Sequence, residues 1–236
     1  MSSTKFIGIN QRVPYSILDE SLKQYLYSGD IKREDILEGM LRVTAGENRA
    51  KKASMYAHQI LTRPKKFLTF VEKSIGAAVY EKLPEQDRKA VILCLVANTF
   101  PITYDLLCAL ATVFKVQELV SRTFINQKME TLYGSNRTLA IGIDALMPML
   151  IELGSLERVK HGVYKVGSQP RITHPAVAEL YVATDISLSG SKSIALDETN
   201  YRPWFFFNKV ELQLEAKFKL LKLTEGRVGG GYVGLG

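Results

Sequence analysis

A chain of 236 residues with 46% hydrophobic and 23% charged side chains can bury a substantial core, which excludes wholesale disorder. Its 31 Lys and Arg against 24 Asp and Glu give a net charge of +7, which favours a polyanionic partner. Cys94 and Cys108, in apolar surroundings and without a nearby histidine, exclude a disulfide scaffold and a zinc site, and read as buried free thiols.

The opening MSSTKFIGIN lacks the apolar core of a signal peptide, so a cytoplasmic location is expected. After a short extended start, residues 16–27 form a helix that Ser28-Gly29-Asp30 ends, and Asp30 is placed to cap the next, with Ile31, Ile36, Leu37, Met40 and Leu41 on its apolar side. Further helices are predicted over 47–61 and 67–83, the second on the helical spacing of Phe67, Phe70, Val71, Ile75, Ala78 and Val79. Pro84 opens another, with Glu85 and Asp87 in its first turn. From Ala90 to Phe114 the only charge is Asp105, yet Asn98, Thr99, Pro101, Thr103 and Tyr104 interrupt the run. A buried helical pair, 86–99 and 103–114, explains this better than a membrane span.

A helix over 117–132 ends at Tyr133-Gly134-Ser135, and the most ordered pattern of the chain follows. Leu139, Ile143, Leu146, Leu150 and Leu153 trace one helical stripe, with Ser135 or Asn136 as cap, Gly154 as stop and Pro148 as an expected kink. Residues 155–159 and 163–166 then flank Lys160-His161-Gly162 as a β-hairpin. Beyond it, 174–184 is a candidate helix and 186–193 a linker. Trp204-Phe205-Phe206-Phe207 is a β-prone aromatic cluster expected to be core or a packed strand, the alternative being a stacking platform for bases or a partner-binding patch. Val210, Leu212 and Leu214 alternate as a strand does, 216–223 suits a strand or a helix, and 229–236, with five glycines, reads as a mobile tail.

The fold expected is mainly α. A helical N-terminal domain (1–114) precedes a winged helix-turn-helix with a short hairpin wing (115–185) and a C-terminal extension with an aromatic strand and Gly-rich tail (186–236). In a winged helix the second helix enters the major groove with its N-terminal residues at base edges. Asn136, Arg137 and Thr138 stand there, and Asn and Arg are the types that read adenine and guanine by paired hydrogen bonds. Arg158, Lys160, His161 and Lys165 of the wing suit phosphates or the minor groove.

Charge points to a second surface. Residues 42–73 carry eight basic side chains against two acidic ones, whereas 1–41 sum to −1 and the remaining 163 residues to +2. Arg49, Lys52, Tyr56, Gln59 and Arg63 share one predicted helical face, Lys65 and Lys66 follow its end, and with Lys51 these basic residues read either as phosphate anchors or as a merely solvated face.

Catalytic signals are weak. His58, His161 and His174 lie far apart, no phosphate-binding Gly-rich loop joins a strand to a helix, and neither cysteine has a nearby base, so no enzyme, metal or cofactor is expected. The apolar helices within 88–114 and the run from Asn136-Arg137-Thr138-Leu139 to Leu153-Gly154-Ser155-Leu156-Glu157 resemble, in pattern and order, the BrxA family of bacterial BREX phage-defence systems. The resemblance covers about residues 19–182 and leaves everything from Ile186 onward unexplained. It implies a small, cytoplasmic, non-catalytic DNA-binding component of a defence system, acting on double-stranded DNA and alongside other defence proteins. The alternative expectation is an adaptor whose winged helix docks on protein, either a partner or a second copy.

Overall fold

The computed structural model describes residues 5–199, 201–213, 217–225 and 231–236. The chain is mainly helical: ten α-helices and two three-stranded antiparallel sheets stand among the described residues. The N-terminal part is helical throughout, in α1 (Tyr15–Ser28), α2 (Arg33–Val43), α3 (Glu47–Ile60), α4 (Lys65–Ser74), α5 (Gly76–Lys82), α6 (Glu85–Thr99) and α7 (Ile102–Phe114). Asp30 does not cap α2, which begins three residues later; its carboxylate instead accepts the Ile31 N–H at 2.8 Å. The single helix expected over 67–83 is two, because Gly76 adopts a φ of +65° that no right-handed helix accommodates.

The apolar run is accounted for by α6 and α7, which bend by 114° at the Phe100-Pro101 break. Every residue from Ala90 to Ala97 is buried, so these helices are apolar on all sides because protein surrounds them. No single helix is long and apolar enough to cross a membrane.

Next come β1 (Val120–Ser121), α8 (Arg122–Tyr133), α9 (Arg137–Glu152), β2 (Leu156–Lys160) and β3 (Val163–Val166), and β3 lies between the other two strands of its sheet. The chain then returns to the helical body as α10 (Pro175–Ser189), buried continuously from Val177 to Ile186 against α6 and α4. The linker expected over 186–193 is therefore corrected: α10 continues to Ser189 and a strand, β4 (Ser193–Ala195), starts soon after.

The aromatic cluster is core but not a strand. Pro203–Phe206 is a 3₁₀ turn, and Trp204, fully buried, stacks between Tyr181 (4.8 Å) and Tyr104 (5.2 Å). Pro203 presets the turn, and the indole N–H is met by the Tyr181 carbonyl at 3.2 Å. The tail is not loose either: β6 (Gly231–Leu235) is the middle strand of a sheet ordered β4-β6-β5, where β5 is Leu221–Glu225. Residues 209–213 form only an isolated bridge, Arg171 to Lys209, and Leu214, Ala216, Gly229 and Gly230 lie outside the described residues.

Candidate nucleic-acid interface

The helix α9 starts where Asn136 places its side-chain oxygen on the Leu139 N–H at 2.8 Å, and it runs through Pro148 to Glu152. The stripe Leu139, Ile143, Leu146, Leu150 and Leu153 is buried as its spacing requires, which leaves Arg137, Thr138, Ile141 and Asp144 exposed. Only the first two turns are open. Further along, Ala145, Met147 and Met149 are also buried, and Gly142 lies against the extended segment of Ile7 and Ile9.

The cap changes what Asn136 can do. Reading adenine by two hydrogen bonds needs the amide oxygen as well as the NH2, and the oxygen is committed to Leu139. Arg137 is exposed, in the first helical turn, and forms no ion pair among the described residues.

Arg122, which sequence reasoning passed over, holds this region together. Its guanidinium bonds Asp144 (2.8 Å), the Ala140 carbonyl (3.1 Å) and Asn126, while its backbone N–H donates to the Gly162 carbonyl (2.8 Å). One residue thus joins α8, α9 and the hairpin turn, and its guanidinium neutralises Asp144 on the face that α9 presents. The helix α8 is itself capped by Ser121, whose hydroxyl oxygen accepts from Phe124 N–H at 3.2 Å. The helix expected from Gln117 instead begins after β1, whose Val120 and Ser121 pair with Tyr164 and Val163.

On the hairpin, Arg158, Lys160 and His161 are exposed around a bulge at Val159. Lys165 is half-buried and bonded to Glu157 at 2.8 Å, which holds its ammonium above the ordinary range. It is therefore less available to an anion than its neighbours.

The basic segment is partly used up. Arg42 pairs with Glu38, and Lys51 with Glu47 at 2.5 Å, whose carboxyl that ammonium holds low. Tyr56 does not share the basic face; it is buried edge-on against Phe100 at 5.7 Å. Arg49, Lys52, Arg63 and Lys65 are exposed, and Lys66, also exposed, donates to the Gly236 carbonyl at 3.1 Å. Arg49 lines an open cleft of about 590 Å³ together with Arg12, Lys89, Glu85 and Glu152. Both carboxylates there are engaged, Glu152 by Arg12 and the Tyr15 N–H, and Glu85 by Lys89, which lowers its pKa. The cleft that Arg49 lines thus reaches Glu152 at the C-terminal end of α9. Arg137 lies at the other end of the helix, about 22 Å from Glu152 at the helical rise.

His58 and His174 are half-buried on separate elements, and His161 is exposed at the hairpin tip. Among the described residues no three His, Cys, Asp or Glu side chains gather to hold a metal ion. Cys94 and Cys108 are free, and burial pushes both thiols up to about 12. Compared with protein-family models, curated proteins and solved structures, the chain matches none.

Proposed function

We propose that α7, α8, α9 and β1–β3 form a winged helix-turn-helix that binds double-stranded DNA, in a cytoplasmic, non-catalytic component of the kind implied by the resemblance to BREX phage-defence proteins. One observation carries the reading. The order α7-β1-α8-α9-β2-β3, with β3 central in its sheet, offers the exposed first turn of α9 beside a hairpin bearing Arg158, Lys160 and His161. In it Arg137 meets a base edge, Thr138 a neighbouring phosphate, and the wing grips the backbone. Asn136 serves as the cap. The exposed Arg49, Lys52, Arg63 and Lys65 supply attraction without sequence preference.

The test is fluorescence anisotropy with a duplex of about 20 base pairs across a salt series. Reversing Arg49, Lys52 and Arg63 to Glu is expected to weaken every duplex alike and to flatten the salt slope by about 0.9 for each phosphate no longer neutralised. Arg137→Ala is expected to cost about 1–3 kcal/mol and to relax preference at one base position. Binding that is absent at low salt, or unchanged in these variants, overturns the reading.

A second reading rests on a specific feature: Ile141 (38% exposed) on α9 and Val159 (49%) on the hairpin put apolar surface among the basic residues. A winged helix that docks on protein uses such residues. Ile141→Ala separates the two, because it removes apolar docking surface without changing the charge of the face, and so weakens docking on a partner while leaving the salt dependence of duplex affinity close to that of the parent.

A further inference from the structure

The sheet β4-β6-β5 carries a surface that the winged-helix reading does not use. Its inner face is apolar: Ile194, Val233 and Leu221 are buried. Across the outer face, registration places Lys222 and Ser193 on either side of Gly234, and Thr224 and Ala195 on either side of Tyr232. Gly234 has no side chain, so the floor of the outer face drops beside the half-exposed Tyr232 ring. A Cβ there would lie 2.9 Å from the Lys192 carbonyl, so the floor admits no larger residue without a shift.

The resulting groove, of about 420 Å³, has Tyr232 as one wall and Lys192 and Lys222 on its rim. No carboxylate lines it, and neither lysine forms an ion pair among the described residues. Lys66 arrives at the same end of the sheet: its ammonium bonds the Gly236 carbonyl, two residues beyond Gly234. Cations on the rim beside an aromatic ring and an open floor suit a flat π-system flanked by negative charge. The volume lies in the range of small-ligand sites, about 300–1,000 Å³, and leaves room for a nucleotide. A duplex hides its base faces, whereas an unpaired strand offers them for stacking.

We propose that this groove binds single-stranded DNA, one base stacking on Tyr232 and the neighbouring phosphates held by Lys192, Lys222 and Lys66. The platform stands without the winged helix. Only the choice of DNA over RNA rests on the duplex-DNA reading above.

The experiment is anisotropy of the full chain with a labelled oligothymidylate of about twelve nucleotides, a length within single-strand site sizes. Tyr232→Ala is expected to weaken binding roughly 5- to 100-fold, the loss that one unstacked base brings, while Tyr232→Phe binds like the parent. Lys192→Gln with Lys222→Gln is expected to reduce the salt slope by about 1.4, or about 0.7 per phosphate on a single strand. Arg137→Ala leaves oligothymidylate binding unchanged, so a failure of the duplex reading and a failure of this one are distinguishable. Unchanged affinity in Tyr232→Ala overturns the proposal, and so does an equal loss on a duplex. Tighter binding of oligouridylate than of oligothymidylate overturns the assignment to DNA.

Discussion

Asp87 is fully buried, yet its carboxylate gathers the N–H groups of Thr173 (3.0 Å) and His174 (2.8 Å) and the Thr173 hydroxyl (2.8 Å). These donors replace the water it gave up, which is what makes burial of the charge tolerable. From the first turn of α6 it thereby fixes the chain entering α10. Asp87→Asn would set an amide NH2 against those donors, and a loss of about 2–4 kcal/mol is expected in urea denaturation. The cysteines give a residue-scale prediction in pH. Burial raises both thiols from an ordinary value of 9.0 to about 12, so the folded chain keeps protons that the unfolded chain releases. Their contribution is whole below about pH 9 and is lost as pH rises towards 12. Desolvation raises the phenols of Tyr80 and Tyr181 in the same sense and steepens the loss. Cys94→Ala is expected to flatten the fall in thermal midpoint between about pH 9 and 11, and an equal fall in parent and variant would show that the thiol contributes nothing.

At the scale of the element, α9 shows what can and cannot be read locally. Its stripe and cap and the hairpin after it were legible, because a 3.6-residue period and a Gly-containing turn need only neighbours in sequence. Strand β1 was not, since two residues carry no periodicity and Val120 is a strand only because β3 lies beside it. The sheet β4-β6-β5 was hidden for the same reason, and Gly234, one of the glycines that suggested mobility, serves close approach to the Lys192 backbone. Within the candidate site, the exposure of Arg137 and Lys160 followed from the pattern. Arg122 was missed because its partners Ala140 and Asp144 come from another helix, whereas the capping role of Asn136 was legible from its place just before the stripe. Gly142 illustrates the limit best. A Cβ there would lie 2.6 Å from Ile7 Cγ2 and 3.2 Å from the Ile9 carbonyl. Alanine gains about 1 kcal/mol of helix propensity over glycine, but overpacking costs about 1–3 kcal/mol. Gly142→Ala is therefore expected to lower stability in urea, with the segment before α1 released first, as faster amide exchange at Ile7 and Ile9. A gain in stability would show that this segment yields instead.

At the scale of the molecule, buried residues from Ile7 to Val233 belong to one continuous hydrophobic cluster. Links between its parts are specific as well as apolar. The Tyr104 hydroxyl donates to buried Asp185 at 2.7 Å, Arg202 completes that carboxylate at 2.5 Å, and Trp204 closes over Tyr104 and Tyr181. On α10, Glu179 accepts the backbone N–H groups of Lys219 (2.6 Å), Leu220 (2.5 Å) and Leu221 (3.2 Å), so the second sheet is tied to the helix it covers. Glu152 at the end of α9 holds Arg12 and the Tyr15 N–H at the start of α1. No element of the proposed winged helix can come away without exposing apolar surface or leaving one of these carboxylates unpaired, and either costs kilocalories. The chain is accordingly expected to unfold in one step. The fluorescence of Trp204, its single tryptophan, and the helical circular dichroism should give coincident thermal transitions, although the indole reports on α7 and α10 while the dichroism reports on all the helices. A separate dichroism transition, with Trp204 fluorescence unchanged, would show residues 115–166 melting as an independent unit. In that case the first turn of α9 would reach DNA on a mobile module, and the basic helices would not act with it as one rigid surface.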